Sequence, residues 1–305
     1  MKKSKHIRAV GMDPKRFDRS QIKFFAYLIP VSVLMGLPIV FIISNAFKPL
    51  DELLKYPPSF ITMRPTLQNF QNLIATSDNK AIPMSRYLFN SVVTTLAVVF
   101  FTLLITTMAA YCMSKKRYRL KNVLFGINEA ALMFVSAAVA IPRYMIINKL
   151  GLVDSIWAHI IPLLAMPVGL YLVKQFIDDI PDEMIEAARL DGAGDFYILR
   201  KIILPNITPT LATVAILAFQ ASWNSVEASN YYVNNEALKS FSFYMSTLTA
   251  TSGNANAMVG QLAGNAIAGL GIQAAATLIM FLPNLVLFVI LQSRVMNTMS
   301  HSGMK

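Results

Sequence analysis

The sequence predicts an all-α integral membrane protein with six transmembrane helices. Two observations carry this. The 305 residues are 55% hydrophobic and only 14% charged, with a mean hydropathy of +0.52. A soluble domain carries about 25% charged residues, so lipid must cover apolar surface that these charges cannot coat. Charge-free runs over 24–47, 87–114 and 202–226 each exceed the roughly 20 residues that a helix needs to cross a bilayer.

Taken in order, the segment 1–23 precedes a first span at 24–46. Lys2, Lys3, Lys5 and Arg8 ahead of an apolar run imitate a secretory signal. However, the run is of full spanning length and has no small-x-small cleavage site before Lys48, so it is read as an uncleaved helix. Pro30, Gly36 and Pro38 inside it suit kinks absorbed by a packed bundle. An outer loop, 47–86, leads to spans at 87–113, 122–147 and 156–177. The loop 178–205 then leads to a span at 206–226, and a second outer loop, 227–267, to a span at 268–293 and the tail 294–305. Residues 24–293 thus form one membrane domain.

Lys and Arg fix the orientation. Segments 1–23, 114–121, 178–205 and 294–305 hold 18 of them, against 7 in segments 47–86, 148–155 and 227–267. Positive loops face the cytoplasm, so both termini are expected on the cytoplasmic side of the membrane. Residues 240–293 carry no charge and are long enough for two helices. Ser246, Thr247, Thr249, Thr251, Ser252, Gly253, Asn254 and Asn256 make the first part too polar to span comfortably. It is read as an extracytoplasmic helix or re-entrant segment packed on the bundle.

Several function classes fall away. Cys112 is the single cysteine, and His6, His159 and His301 are too scattered for a metal site. The formal charge of +11 is explained by topology and does not call for nucleic acid. No Gly-rich phosphate loop ending in Lys-Ser or Lys-Thr is present. Any ATP chemistry, with its magnesium, must then come from a partner, and no cofactor is expected in this chain.

The most informative stretch runs from Ile180 to Pro205. Pro181 suits the start of a helix, and Asp182 and Glu183 favour its positive end. Small Ala187 and Ala188 let another surface approach the backbone. Gly192 can take the left-handed conformation that ends a helix. A second short helix, Asp195 to Ile203, leads to Pro205 at the mouth of the fifth span. Two short helices at an angle on the cytoplasmic face are expected.

Glu186-Ala187-Ala188, Gly192, Ile202, Leu204 and Pro205, with Asp191 and Ala193, resemble in identity and spacing the EAA signature of binding-protein-dependent ABC importer permeases. The resemblance implies a type I importer (MetI-like) fold and a coupling loop that docks on an ATPase subunit. In that reading Glu186 supplies a polar contact, Ala187 and Ala188 close packing, and Gly192 the turn. The implied partners are a homologous second permease, two ATPases, an extracytoplasmic solute-binding protein and membrane lipid.

Other residues resemble the sugar-importing branch, in particular its second maltose-type permease. These are Phe47-Lys48-Pro49 with Glu52, Pro65-Thr66-Leu67 with Asn69-Phe70, Asn90-Ser91, Lys149-Leu150-Gly151-Leu152, Trp223-Asn224, and Gln292 with Gly303 and Lys305. Oligosaccharide is the implied cargo. Ser225 and Val226 depart from the acidic and aromatic pair usual after Trp-Asn, and 240–265 departs in its small polar residues. Both departures concern cargo. An amino-acid or peptide ABC permease shares the coupling loop and is the alternative. An intramembrane enzyme using Glu129 or His159 is remoter, since the sequence offers only isolated groups.

Four polar residues in the spans are candidates for the substrate pathway. Glu129 is the only acid within a span, a gate candidate or a packing residue. Gln220, Trp223 and Asn224 share a helical face at i, i+3 and i+4. They suit a sugar, with its ring face on the indole and its hydroxyls on the amides, or else helix–helix bonding beside an interfacial Trp. Thr94, Thr95, Thr102, Thr106 and Thr107 read as packing residues, and Gly269 and Gly271 as close helix contacts. The tail either reaches an ATPase or is disordered.

Overall fold

A computed structural model describes residues 22–53, 55–57, 59–78, 82–248 and 263–302. Every regular element among them is helical. The elements are α1 (Ile22–Phe47), α2 (Leu50–Leu53), α3 (Gln68–Asp78), α4 (Met84–Lys115), α5 (Lys121–Ala131), α6 (Ala140–Lys149), α7 (Trp157–Leu164) and α8 (Pro167–Asp178). They continue with α9 (Asp182–Leu190), α10 (Asp195–Ile198), a π-helical turn (Leu199–Ile203), α11 (Leu204–Asn206), α12 (Thr208–Trp223) and α13 (Glu227–Tyr231). A 3-10 turn (Glu236–Leu238), a helix over 241–248, α14, and α15 (Ala263–Ser302) complete the order.

The long helix α4 is the centre of the bundle and packs on α7, α8 and α12, while α12 also meets α15, and α15 meets α1 and α3. Its buried stripe is made of small polar residues, including Ser91, Thr94, Thr95, Thr102, Thr106 and Thr107, which let neighbouring backbones come close. Thr94 and Thr107 keep their hydroxyls satisfied in apolar surroundings by bonding the preceding turn, to Asn90 O at 2.8 Å and Leu103 O at 2.6 Å. On its other face Phe89, Leu96, Phe100 and Met108 are exposed, as a lipid-facing surface should be. The threonine stripe is packing, as expected.

Among the described residues three helices are long and apolar enough to cross a membrane, Phe24–Phe47, Met84–Lys115 and Leu270–Gln292, and up to five if each of two bent pairs is one span. The bent pairs are α7 with α8, at 43°, and Asp195–Asn206 with Thr208–Tyr231, at 83°. Pro167 explains the first bend, because it has no N–H for Leu163 O. The expected third span needs correction. Residues 122–147 do not form one helix; α5 ends at Ala131 and α6 begins at Ala140. Pro142 lies in the first turn of α6, where a helix arriving from α5 would need its N–H for Ala138 O and would meet its ring.

The end of the bundle opposite the 178–206 loop is built from buried polar side chains. Asn69 Nδ2 donates to Ala46 O and Lys48 O at 3.0 and 2.9 Å, closing the C-terminus of α1. Glu52 accepts from Thr62 Oγ1, Met63 N and Arg64 N. These bonds hold its carboxyl below the usual range, that from Thr62 most. Gly151 and Asp154 have positive φ, +65° and +57°. Asp154 is held there by accepting from the backbone N–H groups of Asn234 and Asn235, which tie the turn after α6 to the segment after α13.

The described part of 240–265, α14, packs as the sequence suggested: Phe241, Tyr244, Met245 and Leu248 are buried with Leu73, Tyr87, Trp223 and Ala275. Residues 249–262 and residues 1–21 lie outside the described residues. Side chains of α15 are described from Leu270 to Gln292, which leaves Gly269 and the tail side chains outside too, although the α15 backbone is helical to Ser302.

Candidate functional site

Two places gather the residues singled out in the sequence. The first is the loop from Asp178 to Asn206. Pro181 caps α9 with φ −57° and ψ 136°, and Asp182 and Glu183 occupy its first turn. The helix closes when Asp191 N, Gly192 N and Ala193 N bond Ala187 O, Arg189 O and Ala188 O at 3.0, 3.0 and 2.9 Å. Gly192 sits at φ +83° with open space where a side chain would be, so the turn needs its conformational freedom and not its small size.

Pro205 has no N–H for Lys201 O, and the ladder widens locally to a π-helical turn in which Leu204 N bonds Leu199 O. Asn206 Nδ2 returns to Ile202 O at 2.7 Å. Immediately afterwards the chain turns through 83° into α12.

The last turns of α4 clamp this loop. Lys115 Nζ donates to Ile180 O at 2.6 Å and to Asp182 at 2.8 Å, and its side chain is only 7% exposed. Lys116 Nζ and the Tyr111 hydroxyl both donate to Asp195, at 2.5 and 3.0 Å. Ser114 Oγ bonds the Asp178 carboxylate. Lys115 holds the Asp182 carboxyl below its usual range, and Lys116, then Tyr111, do the same for Asp195. Beneath the clamp, Ile180, Ile185, Ile198, Ile203 and Ile207 are buried with Ala110, Val173, Ile177 and Val214. The loop is therefore bonded and packed to the feet of α4, α8 and α12.

The other side of the loop is open. Glu186, Ala187, Asp191, Gly192 and Pro205 are exposed, whereas Ala188, Ala193, Ile202 and Leu204 are half-buried, and Ala188, Ala193 and Ile202 pack against the isoleucine cluster. The nine signature positions thus divide between an outward face and an inward anchor. Sequence reasoning missed three neighbours of that face: Leu190 is 89%, Phe196 75% and Tyr197 56% exposed. Apolar residues flanking Gly192 at the end of one helix and the start of the next were the available signal. Large apolar side chains left uncovered in this way suit contact with another protein.

The second place is a cavity of 710 Å³ bounded by the 131–143 segment, the α7–α8 bend and the far end of α12. Gln220 and Asn224 line it. Trp223, expected on the same face, turns inward: it is 4% exposed, stacks on Phe219 at 5.8 Å and donates Nε1–H to Met280 O at 3.1 Å. The 100° step between helical positions separates it from its neighbours once both sides of α12 are packed differently. Glu129 lies on the exposed side of α5, outside the cavity lining, and its carboxylate has no ion-pair partner among the described residues. Sequence reasoning also missed the charged pair of this cavity, Arg143 with Glu227 at 2.7 Å. The two are 84 positions apart, and no local pattern joins them. Asn284 Nδ2 reaches Asn224 Oδ1 at 3.3 Å and ties α15 to the cavity rim.

Comparison with known proteins places this architecture. The family described as "Binding-protein-dependent transport system inner membrane component" matches residues 24–295. An ABC transporter permease protein, ORF2, of Caldicellulosiruptor sp. (strain Rt8B.4) is 30% identical over 66% of this chain and 72% of its own length. The sulfoquinovosyl glycerol transport system permease protein SmoH of Agrobacterium fabrum is 28% identical over 73% of this chain and 77% of its own. Among solved structures, a chain of a bacterial ABC transporter involved in the import of the acidic polysaccharide alginate superposes with a TM-score of 0.74. It is 20% identical and covers 91% of this chain and 98% of its own; that likeness concerns the fold.

Proposed function

Since the chain belongs to the family of binding-protein-dependent transport system inner membrane components, a membrane-embedded transport permease and not an enzyme, we propose that it is one permease half of an ATP-driven oligosaccharide importer. The saccharide cargo is supported by the carbohydrate-transport names of its relatives and by the outer-loop residues around Lys48, Glu52 and Asn69. A second, homologous permease completes the pathway, two ATPase subunits bind ATP and magnesium, and an extracytoplasmic binding protein delivers the cargo. The Lys and Arg distribution supports a cytoplasmic position for the 178–206 loop and both termini.

The observation that carries this reading is the two-sided loop. Its outward face, with Glu186, Ala187, Leu190, Asp191, Phe196 and Tyr197, offers two acids among exposed apolar groups, a surface for an ATPase groove. Its inward face is bonded to α4 and packed under α8 and α12. Displacement of the loop by closing ATPases is thereby transmitted to the helices that bound the cavity. A rigid connection of this kind couples two sites because both bias the same two-state element. The cavity then opens alternately to each side.

Reconstitution of the whole importer in liposomes tests the proposal. Glu186→Lys should leave assembly of the two permeases intact and abolish both uptake and cargo-stimulated ATP hydrolysis. Full coupling in that variant would refute the role given to the loop.

A further inference from the structure

The cavity beside α12 holds one cation and one anion in its lining, and they are paired. Arg143, from α6, donates through Nη1 to both carboxylate oxygens of Glu227 at 2.7 and 3.0 Å. The Tyr232 hydroxyl donates to Glu227 Oε1 at 2.7 Å. The two charged side chains are 27% and 31% exposed, so each is held by its partners yet open to the cavity. The remaining lining is uncharged, with the amides of Gln220 and Asn224, two serine hydroxyls, and apolar surface such as Phe134 and Met166.

That arrangement discriminates by charge. A hydroxyl-rich neutral molecule can bond the amides, the serines and the outward N–H groups of Arg143 while its apolar faces rest on Phe134 and Met166. A carboxylate or phosphate entering the same space meets a guanidinium already neutralised and a second negative charge beside it. It must either displace Glu227 from three hydrogen bonds or enter without a counter-ion in surroundings where an unpaired charge is penalised.

We infer that this cavity selects uncharged saccharides over uronates and sugar phosphates, with Glu227 as the residue that excludes anions and Arg143 as its partner. The inference rests on the saccharide reading above and adds the cargo's charge to it. It also gives Arg143 and Glu227 a substrate-contacting role beyond bracing α6 against α13.

The test uses the purified permease–ATPase complex without the binding protein, so that only the membrane cavity discriminates. Equilibrium dialysis measures maltotriose, arabinotriose and trigalacturonate. The wild-type complex should bind a neutral trisaccharide at least about tenfold more tightly than trigalacturonate. Glu227→Gln frees the guanidinium and should cut that ratio to about threefold or less. The charge-reversed double variant Arg143→Glu with Glu227→Arg should keep the wild-type preference. Tyr232→Phe, which leaves the ion pair in place, should shift the ratio the same way as Glu227→Gln but less, and it serves if Glu227→Gln fails to assemble. A mere structural brace would weaken all three sugars together, and an unchanged ratio in both single variants overturns the inference. A wild-type preference for trigalacturonate overturns it while leaving the saccharide reading in place. Binding of none of the three overturns both.

Discussion

Gly271 lies directly against Asn69: a Cβ placed on the glycine would come within 2.8 Å of Asn69 Cγ and 3.1 Å of its Nδ2. Asn69 cannot retreat without losing its bonds to Ala46 O and Lys48 O. Gly271→Ala should therefore cost about 1–3 kcal/mol, the scale of a buried polar group left unpaired. Asn69→Ala should cost a similar amount. Thermal unfolding of the purified protein measures both. The double variant should lose little more than either single one, because they break the same contact.

The clamp on the coupling loop makes a pH prediction. Asp182 and Asp195 have carboxyls held below their usual range by Lys115 and Lys116. A lowered folded pKa contributes stability that is complete above the unfolded value, about 4 for Asp, and lost as pH falls through the lower folded value. Amide protection over residues 182–198, corrected for intrinsic exchange, should be flat from pH 5 to 8 and decline below about pH 4. Asp195→Asn should already show reduced protection at pH 7. A wild-type profile that stays flat to pH 2 would remove the electrostatic account of the clamp.

Much of this fold was legible because the signals were local. A charge-free run reports a span directly, so α1, α4 and α15 fall close to the expected 24–46, 87–113 and 268–293. Several residues noticed as family-like, in the outer loop and at the start of α4, also make structural hydrogen bonds. Lys48 bonds Ser59 O, Asn90 bonds Ala237 O and Lys239 O, and Ser91 Oγ accepts from Phe241 N. The break in 122–147 was the main loss at the level of the fold. Hydropathy averages over Pro142 and does not register a missing N–H. At the cavity, helical spacing grouped Gln220, Trp223 and Asn224, but spacing cannot say which side of α12 faces a void. The Arg143–Glu227 pair depends on tertiary approach alone.

Gly192 supplies a prediction about conformation without crowding. Its φ of +83° is unfavourable for any side chain, yet nothing lies within 4 Å of the place a Cβ would occupy. Gly192→Ala should cost about 1–2 kcal/mol, the penalty of a left-handed residue, with coupling retained. Gly192→Pro should cost more, because it also removes the N–H bonded to Arg189 O and sets φ near −65°. Unfolding and cargo-stimulated ATP hydrolysis, measured on the same preparations, separate the two effects.

The exposed apolar groups around the loop should matter for coupling and not for folding. Leu190 and Phe196 are 89% and 75% exposed and so add little to the stability of this chain. Leu190→Asp and Phe196→Ala should each shift its unfolding free energy by about 0.5 kcal/mol or less. In the assembled importer they should weaken retention of the ATPase subunits, read by co-purification at rising salt and detergent. Ile185→Ala gives the opposite pattern. Its side chain is 3% exposed beneath the clamp, and its loss should cost about 2–5 kcal/mol in stability.

Trp223 and Gln220 share a helix and should fail in different ways. Trp223 is enclosed by Phe219 and Phe241 and bonded to Met280 O, so Trp223→Ala should cost about 3–5 kcal/mol in stability. Trp223→Phe keeps most of the packing and should cost less, with cargo preference unchanged in either variant that folds. Gln220 is exposed and opens onto the cavity, and the hydrogen bonds that tie this end of α12 to α15 involve Trp223 and Asn224. Gln220→Ala should leave thermal unfolding nearly unchanged while raising the cargo concentration needed for half-maximal uptake several-fold, about the loss of one net hydrogen bond. A stable Trp223→Ala with altered cargo preference would place the indole in the transport path after all, and the packing described for α12 would have to change with it.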